Sequence, residues 1–190
     1  MRIPFFEKGF RAYFLVLFTA RRNFIPILSA YYLTLPNSTA SEIGFYTGAG
    51  YLASLLLNIP AGMIADRFGY KNTLILTKIF LVASSVMFLF SHTFTGFLIG
   101  SVFSALGANA FYSGTGSAFL RDALAEMGRK TEYKKISSAI KADVSLISVV
   151  FIIGLPFLTQ LDIRLPFLAG VIIDIIGLFA VFALKSPKKE

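Results

Sequence analysis

Six runs of apolar residues, each about as long as a bilayer's hydrocarbon core is thick, follow one another with short polar breaks between them. They cover Phe10–Leu35, Ile43–Ala65, Thr73–Phe90, Thr95–Leu120, Ile140–Leu161 and Leu165–Leu184. A helix that crosses a membrane needs about 20 mainly apolar residues. The runs lack strict alternation and are longer than strands, which excludes a β-barrel reading. Apolar types make up 56% of the 190 residues and charged types 15%, against about 25% charged in a soluble domain. The sequence therefore predicts an all-α membrane protein, one domain over residues 1–190. Its six transmembrane helices are joined by short turns, except for a long connector over 121–139.

The chain carries a net charge of +8, and the placement of that charge orients the helices. Arg2, Lys8 and Arg11 precede or open the first run. Arg67, Lys71 and Lys78 follow the second, Arg121, Arg129, Lys130, Lys134, Lys135 and Lys141 cluster around the connector, and Lys185, Lys188 and Lys189 close the sequence. Of the 18 Lys and Arg, only Arg164 falls in an opposite connection, and Arg21 and Arg22 lie inside the first run. This bias predicts that both termini are cytoplasmic. It also accounts for the basic balance without nucleic acid as a partner. Arg21-Arg22 interrupts the first apolar run and no small-residue cleavage site follows, so the N-terminus does not read as a signal peptide. In the connector, Leu124, Met127, Tyr133, Ile136 and Ile140 suit one apolar side and basic residues the rest. That is an amphipathic segment attracted to anionic membrane lipids, although a solvated charged loop reads the same way.

The second connection reads Gly62-Met63-Ile64-Ala65-Asp66-Arg67-Phe68-Gly69-Tyr70-Lys71. It resembles the G-x-x-x-D-R-x-G-R-[RK] motif of the major facilitator superfamily, which lies in the cytoplasmic turn after the second helix. The preceding Leu55–Ala61 and the segment Ser113–Asp122 are also similar to members of that family. Each residue type has a physical reason to be there. Gly62 lets a neighbouring helix come close, Gly69 permits a tight reversal, and Asp66 places an anion where a helix N-terminus can meet it. Arg67 and Lys71 can pair with Asp122 at the inner end of the fourth run, although all these charges also suit an ordinary turn. The resemblance implies a cytoplasmic latch made of Gly62, Asp66, Arg67, Gly69, Lys71 and Asp122. It further implies a six-helix half built as a three-plus-three inverted repeat. Pro60/Asp66 and Pro156/Asp162 echo that repeat at an offset of 96 residues. Tyr70 stands where the family has a first basic residue, and Ser101 where proton-coupled members often carry Arg.

Charges also fall at membrane depth. Arg21 and Arg22 lie about ten residues into the first run and Asp174 about ten into the sixth, near the midplane at about 1.5 Å per residue. A lone charge there costs about 2.5–3.5 kcal/mol. One Arg is expected to pair with Asp174, while the other faces a cavity and draws an anionic solute. Lys78 and Asp143 are expected at the inner interface. Asn23, Asn58, Asn109 and Tyr112 are polar groups within the runs, suited to lining that cavity or to bonding between helices.

An intramembrane enzyme is not supported. The only histidine, His92, lies in an outer connection, so a nucleophile such as Ser117 lacks a base. There is no metal-ligand motif and no cysteine, and no cofactor is expected. The sequence thus predicts transport of a small solute by alternating access, as half of a major facilitator superfamily transporter. The other half would come from another chain or from a missing C-terminal segment. The alternative is a non-transporting membrane scaffold or remnant half-transporter. The expected setting is a multi-pass position in a prokaryotic cytoplasmic membrane.

Overall fold

The computed structural model describes residues 8–20, 25–111 and 115–184. Among these the secondary structure is helical throughout: α1 (Lys8–Ala20), α2 (Ile25–Tyr32), α3 (Ala40–Phe68), α4 (Tyr70–Phe90), α5 (Phe94–Ala105), α6 (Thr115–Glu126), α7 (Tyr133–Leu158) and α8 (Leu165–Phe182). A π-helical turn, Leu106–Phe111, continues α5, and a 3-10 turn, Lys130–Glu132, precedes α7. Four stretches are long and apolar enough to cross a membrane: Ala40–Phe68, Tyr70–Phe90, Lys130–Leu158 and Leu165–Phe182. Arg11–Ala20 and Phe94–Ala108 are shorter apolar helices.

Local chemistry sets the helix boundaries. The backbone N–H of Thr39 donates to Glu42 at 2.8 Å, an N-terminal box that starts α3. Thr93 opens α5 by accepting from the Gly96 N–H. Helix α3 runs for 29 residues, about 43 Å at 1.5 Å per residue, which is longer than a hydrocarbon core of about 30 Å. Helix α7 begins at Tyr133, inside the stretch expected as a connector. The reason is packing: Leu124, Ile136 and Ile140 are buried in the core, with Tyr133 against them. Of the expected apolar side, these residues face the bundle, while Met127 is exposed.

The core has two apolar layers. One joins α1, α4, α6, α7 and α8 through Val16, Leu74, Phe119, Leu124, Ile140 and Val181. The other is largely aromatic and joins α2, α3, α4, α5, α7 and α8. At its centre is Phe97 of α5, whose ring lies 4.8 Å from Tyr32, 5.8 Å from Tyr46 and Phe88, and 5.9 Å from Tyr31. Such tilted and edge-on pairs stabilise beyond the area they bury. Between the two layers, α1, α4 and α8 place Thr19, Thr77, Lys78, Ser84, Ser85 and Asp174, all buried.

The outside is as apolar as the inside. On α3, Leu52, Leu55, Leu56, Ile59 and Met63 are exposed, and on α7 so are Leu146, Val150, Ile153 and Phe157. The residues that α3 buries are Tyr46, Gly50, Ser54, Ala61 and Ala65, a stripe that is small apart from Tyr46. An exposed apolar area of this extent needs lipid or another protein surface to cover it.

Candidate functional site

The turn between α3 and α4 is a single residue. Gly69 donates its N–H to the Ala65 carbonyl at 3.0 Å and adopts φ +87°, ψ 151°. Residues with a side chain are strongly disfavoured in that region, and this freedom lets α4 start directly at Tyr70. Ala61 and Ala65 are buried, and Gly62, Asp66 and Arg67 are exposed. Gly62 and Asp66, four residues apart, stack on one face of α3. A Cβ built on Gly62 would meet nothing within 4 Å, so a slot lies open beside the Asp66 carboxylate. The Arg67 guanidinium lies over the Phe68 ring, 5.8 Å from its centroid.

The remaining charges of the motif pair differently from expectation. Lys71 does not reach Asp122. Its Nζ donates to the carbonyls of Phe182 at 3.0 Å and Leu184 at 2.5 Å. Carbonyls at a helix end lack intrahelical partners and favour a cation, and α4 packs closely along α8, so Lys71 caps α8. Asp122 pairs with its neighbour Arg121, N to O 3.4 Å. The structure thus places Gly62, Asp66, Arg67, Gly69 and Lys71 on one short turn, with Asp122 engaged separately on α6.

Of the residues expected to form a cavity, Arg21, Arg22, Asn23 and Tyr112 lie outside the described residues, as does the side chain of Asn109. The expected pairing of an Arg with Asp174 falls there too. Asn58 is exposed on the outward flank of α3 beside Leu55 and Ile59, and so does not bond between helices of this bundle. Asp174 is fully buried and accepts a hydrogen bond from Ser85 Oγ at 2.6 Å. Lys78 departs most from the sequence reading. It is not interfacial but fully buried, and its Nζ donates to the Val16 carbonyl at 2.9 Å and to Thr19 Oγ1 at 2.6 Å. The amphipathic-stem argument for Lys78 fails because the face of α4 that carries it is the face packed on α1 and α8. One signal was present: Thr77-Lys78 and Ser84-Ser85 are polar pairs seven residues apart, hence on one side of the helix.

With that geometry in place, the chain can be set beside known proteins. The sequence pattern of the Major Facilitator Superfamily matches residues 12–190. An uncharacterized MFS-type transporter of Methanocaldococcus jannaschii is 30% identical over 153 residues, covering 80% of this chain and 34% of that protein. An uncharacterized transporter of Buchnera aphidicola is 27% identical over 168 residues, covering 87% and 42%. The quinolone resistance protein NorA of Staphylococcus aureus is 24% identical over 170 residues, also covering 87% and 42%. The chain therefore spans less than half the length of these relatives. Matched along nearly all of its length, and with helices fit to cross a bilayer, it is an integral membrane protein of the Major Facilitator Superfamily.

Proposed function

We propose that this chain forms one half of a transporter that carries a small solute across a prokaryotic cytoplasmic membrane by alternating access. In this reading it is a six-span bundle, a three-plus-three inverted repeat with both termini inside, and a second bundle completes it. Alternating access rocks one bundle against another around a midplane site, so a half needs a face prepared for its counterpart. The observation that carries the reading is the outward face of α3. Gly62 offers an open slot beside the exposed Asp66 at one end, and the exposed Leu55, Leu56, Ile59 and Met63 continue the face. The carboxylate is placed to meet the N-terminus of an opposing helix, and the slot lets that helix approach. The transporter names of the relatives support the same reading.

Lys71 has a supporting part here. By capping α8, it ties the latch turn to the C-terminal end of α8, so force on the latch reaches that helix. The solute is left as a small molecule, and anionic character is favoured by Arg21 and Arg22.

Reconstitution into proteoliposomes tests the proposal. The chain is assayed against a panel of solutes, alone and together with a polypeptide supplying six further spans. Solute movement that is lost in Asp66→Ala while the protein stays folded is the expected result. No movement of any solute in either arrangement would instead favour a scaffold without transport.

A further inference from the structure

We propose that the exposed side of α7 binds one anionic phospholipid, its phosphate held at Lys141 and an acyl chain laid along the apolar residues that follow. The site needs only the membrane embedding shown above, so it stands or falls independently of transport. The exposed side of α7 changes character along its length. Its first turns carry Lys134, Lys135, Ser138, Lys141 and Ser145, all exposed. Lys134, Ser138 and Lys141 are spaced i, i+4, i+7 and so stack in one row. From Leu146 onward the same side is apolar, with Leu146, Val149, Val150, Ile153 and Phe157 exposed. Lipid contact was expected from the apolar residues of the connector, yet Leu124, Ile136 and Ile140 are buried. What the fold turns outward instead is the lysines, directly above an apolar surface.

The spacing along α7 matches the layers of a bilayer. Lys141 precedes Leu146 by five residues, about 7.5 Å of helix rise. A bilayer of about 40–45 Å with a hydrocarbon core of about 30 Å has about 5–8 Å of headgroup on each side. With Leu146 at the edge of the core, Lys141 therefore lies at the level of the phosphates. Leu146 to Phe157 spans about 16.5 Å, close to the roughly 15 Å of hydrocarbon in one leaflet. At the boundary, Ser145 donates to the Lys141 carbonyl at 2.8 Å and Ser148 to the Val144 carbonyl at 2.7 Å. Neither hydroxyl thus enters the apolar layer unsatisfied. The lysine charge is not offset from within. Among the described residues, Lys134 and Lys141 have no ion-pair partner. Glu132 is taken by Arg129 at 2.9 Å and Asp122 by Arg121 at 3.4 Å. Asp143 buries its Oδ2 in the bundle, and Glu126 is exposed on α6. Lys134 and Lys135 lie beyond the headgroup layer and add longer-range attraction to an anionic surface.

Native mass spectrometry of the purified chain in a neutral detergent tests the site, with phosphatidylglycerol, phosphatidylcholine and inorganic phosphate titrated in turn. The expected result is one tightly held phosphatidylglycerol per chain, weaker phosphatidylcholine, and no displacement of the lipid by inorganic phosphate. Lys141→Gln should weaken phosphatidylglycerol about fivefold, the effect of one basic residue at an anionic surface, and Lys134→Gln should weaken it less. Arg164→Gln, the same charge change beyond the other end of α7, should leave it unaltered. Raising salt from about 0.05 to 0.5 M should loosen the lipid in the parent. Equal affinity for the two lipids overturns the site, as does a Lys141→Gln protein that binds like its parent. Should that variant fail to fold, parent binding that is indifferent to salt does the same. Displacement by inorganic phosphate at matching concentration makes this a site for the free ion and overturns the lipid. Loss of a dimer in Lys141→Gln with lipid binding intact gives the face to a second copy of the chain and overturns the proposal too.

Discussion

Gly177→Ala probes the packing of α1 against α8 at one atom. The added Cβ would lie 2.2 Å from Thr19 Oγ1, 2.8 Å from Thr19 Cβ and 3.0 Å from Lys78 Nζ. Real Cβ contacts are essentially never that short, so α8 must move away from α1 or Thr19 must give up its rotamer. Lys78 is the far end of a flexible chain and can yield. Thr19 cannot do so easily, because its hydroxyl is bonded to Leu15 O at 2.7 Å and it accepts from Lys78. Overpacking of this kind costs about 1–3 kcal/mol. For a chain of this size that corresponds to a fall in Tm of roughly 2–12 °C. The control is Gly62→Ala, where nothing lies within 4 Å and the change in stability should stay within about 0.5 kcal/mol. Thermal unfolding in detergent, followed by helical circular dichroism and by loss of the monodisperse elution peak, measures both. Adding Thr19→Ala to Gly177→Ala should recover part of the loss. Full recovery is not expected, because Thr19 Cβ is itself too close, and a double-mutant cycle quantifies the coupling. A Gly177→Ala protein as stable as its parent, with Gly62→Ala the less stable of the two, would refute this account of the α1–α8 seam.

Three further outcomes are expected. Gly69→Ala places a side chain at φ +87° and should lower stability by about 1–3 kcal/mol, read as a Tm shift. Lys71→Met removes the cap on Phe182 and Leu184 and should cost about 0.3–1 kcal/mol; the loss should shrink as salt is raised in the parent. The chain has no cysteine, so Asp66→Cys can be labelled cleanly. A membrane-impermeant thiol reagent should react with it from the cytoplasmic side only, and labelling from outside would overturn the orientation.

The all-helical, membrane-embedded character could be read from apolar run length because that property belongs to each segment alone; of the six expected runs, four contain helices long and apolar enough to cross a membrane, while the first and fourth hold the shorter apolar helices Arg11–Ala20 and Phe94–Ala108. Helix ends were less legible. Helix α7 starts at Tyr133 because Ile136 and Ile140 find core neighbours on other helices, and no local pattern announces those neighbours. The turn at Gly62–Lys71 was legible because Gly, Asp and a following Gly impose local geometry. The partner of Lys71 was not, since Phe182 and Leu184 lie 111 and 113 residues away. Lys78 shows the same limit more sharply. Hydropathy gives a residue's depth in a helix but not its facing, and its acceptors at Val16 and Thr19 are set by how α1 lies across α4. Asp174 stands out in the sequence as a charge deep in an apolar run, while its bond to Ser85, 89 residues distant, came only with the fold.

Phe97 has a mechanical consequence. Its single ring is wedged among side chains from three other helices, so withdrawing any one of them would leave a void the size of a benzene ring with nothing small enough at hand to fill it. The ends of α2, α3, α4 and α5 that meet at Phe97 are therefore held together. Displacing any one of them therefore disturbs the packing of the other three.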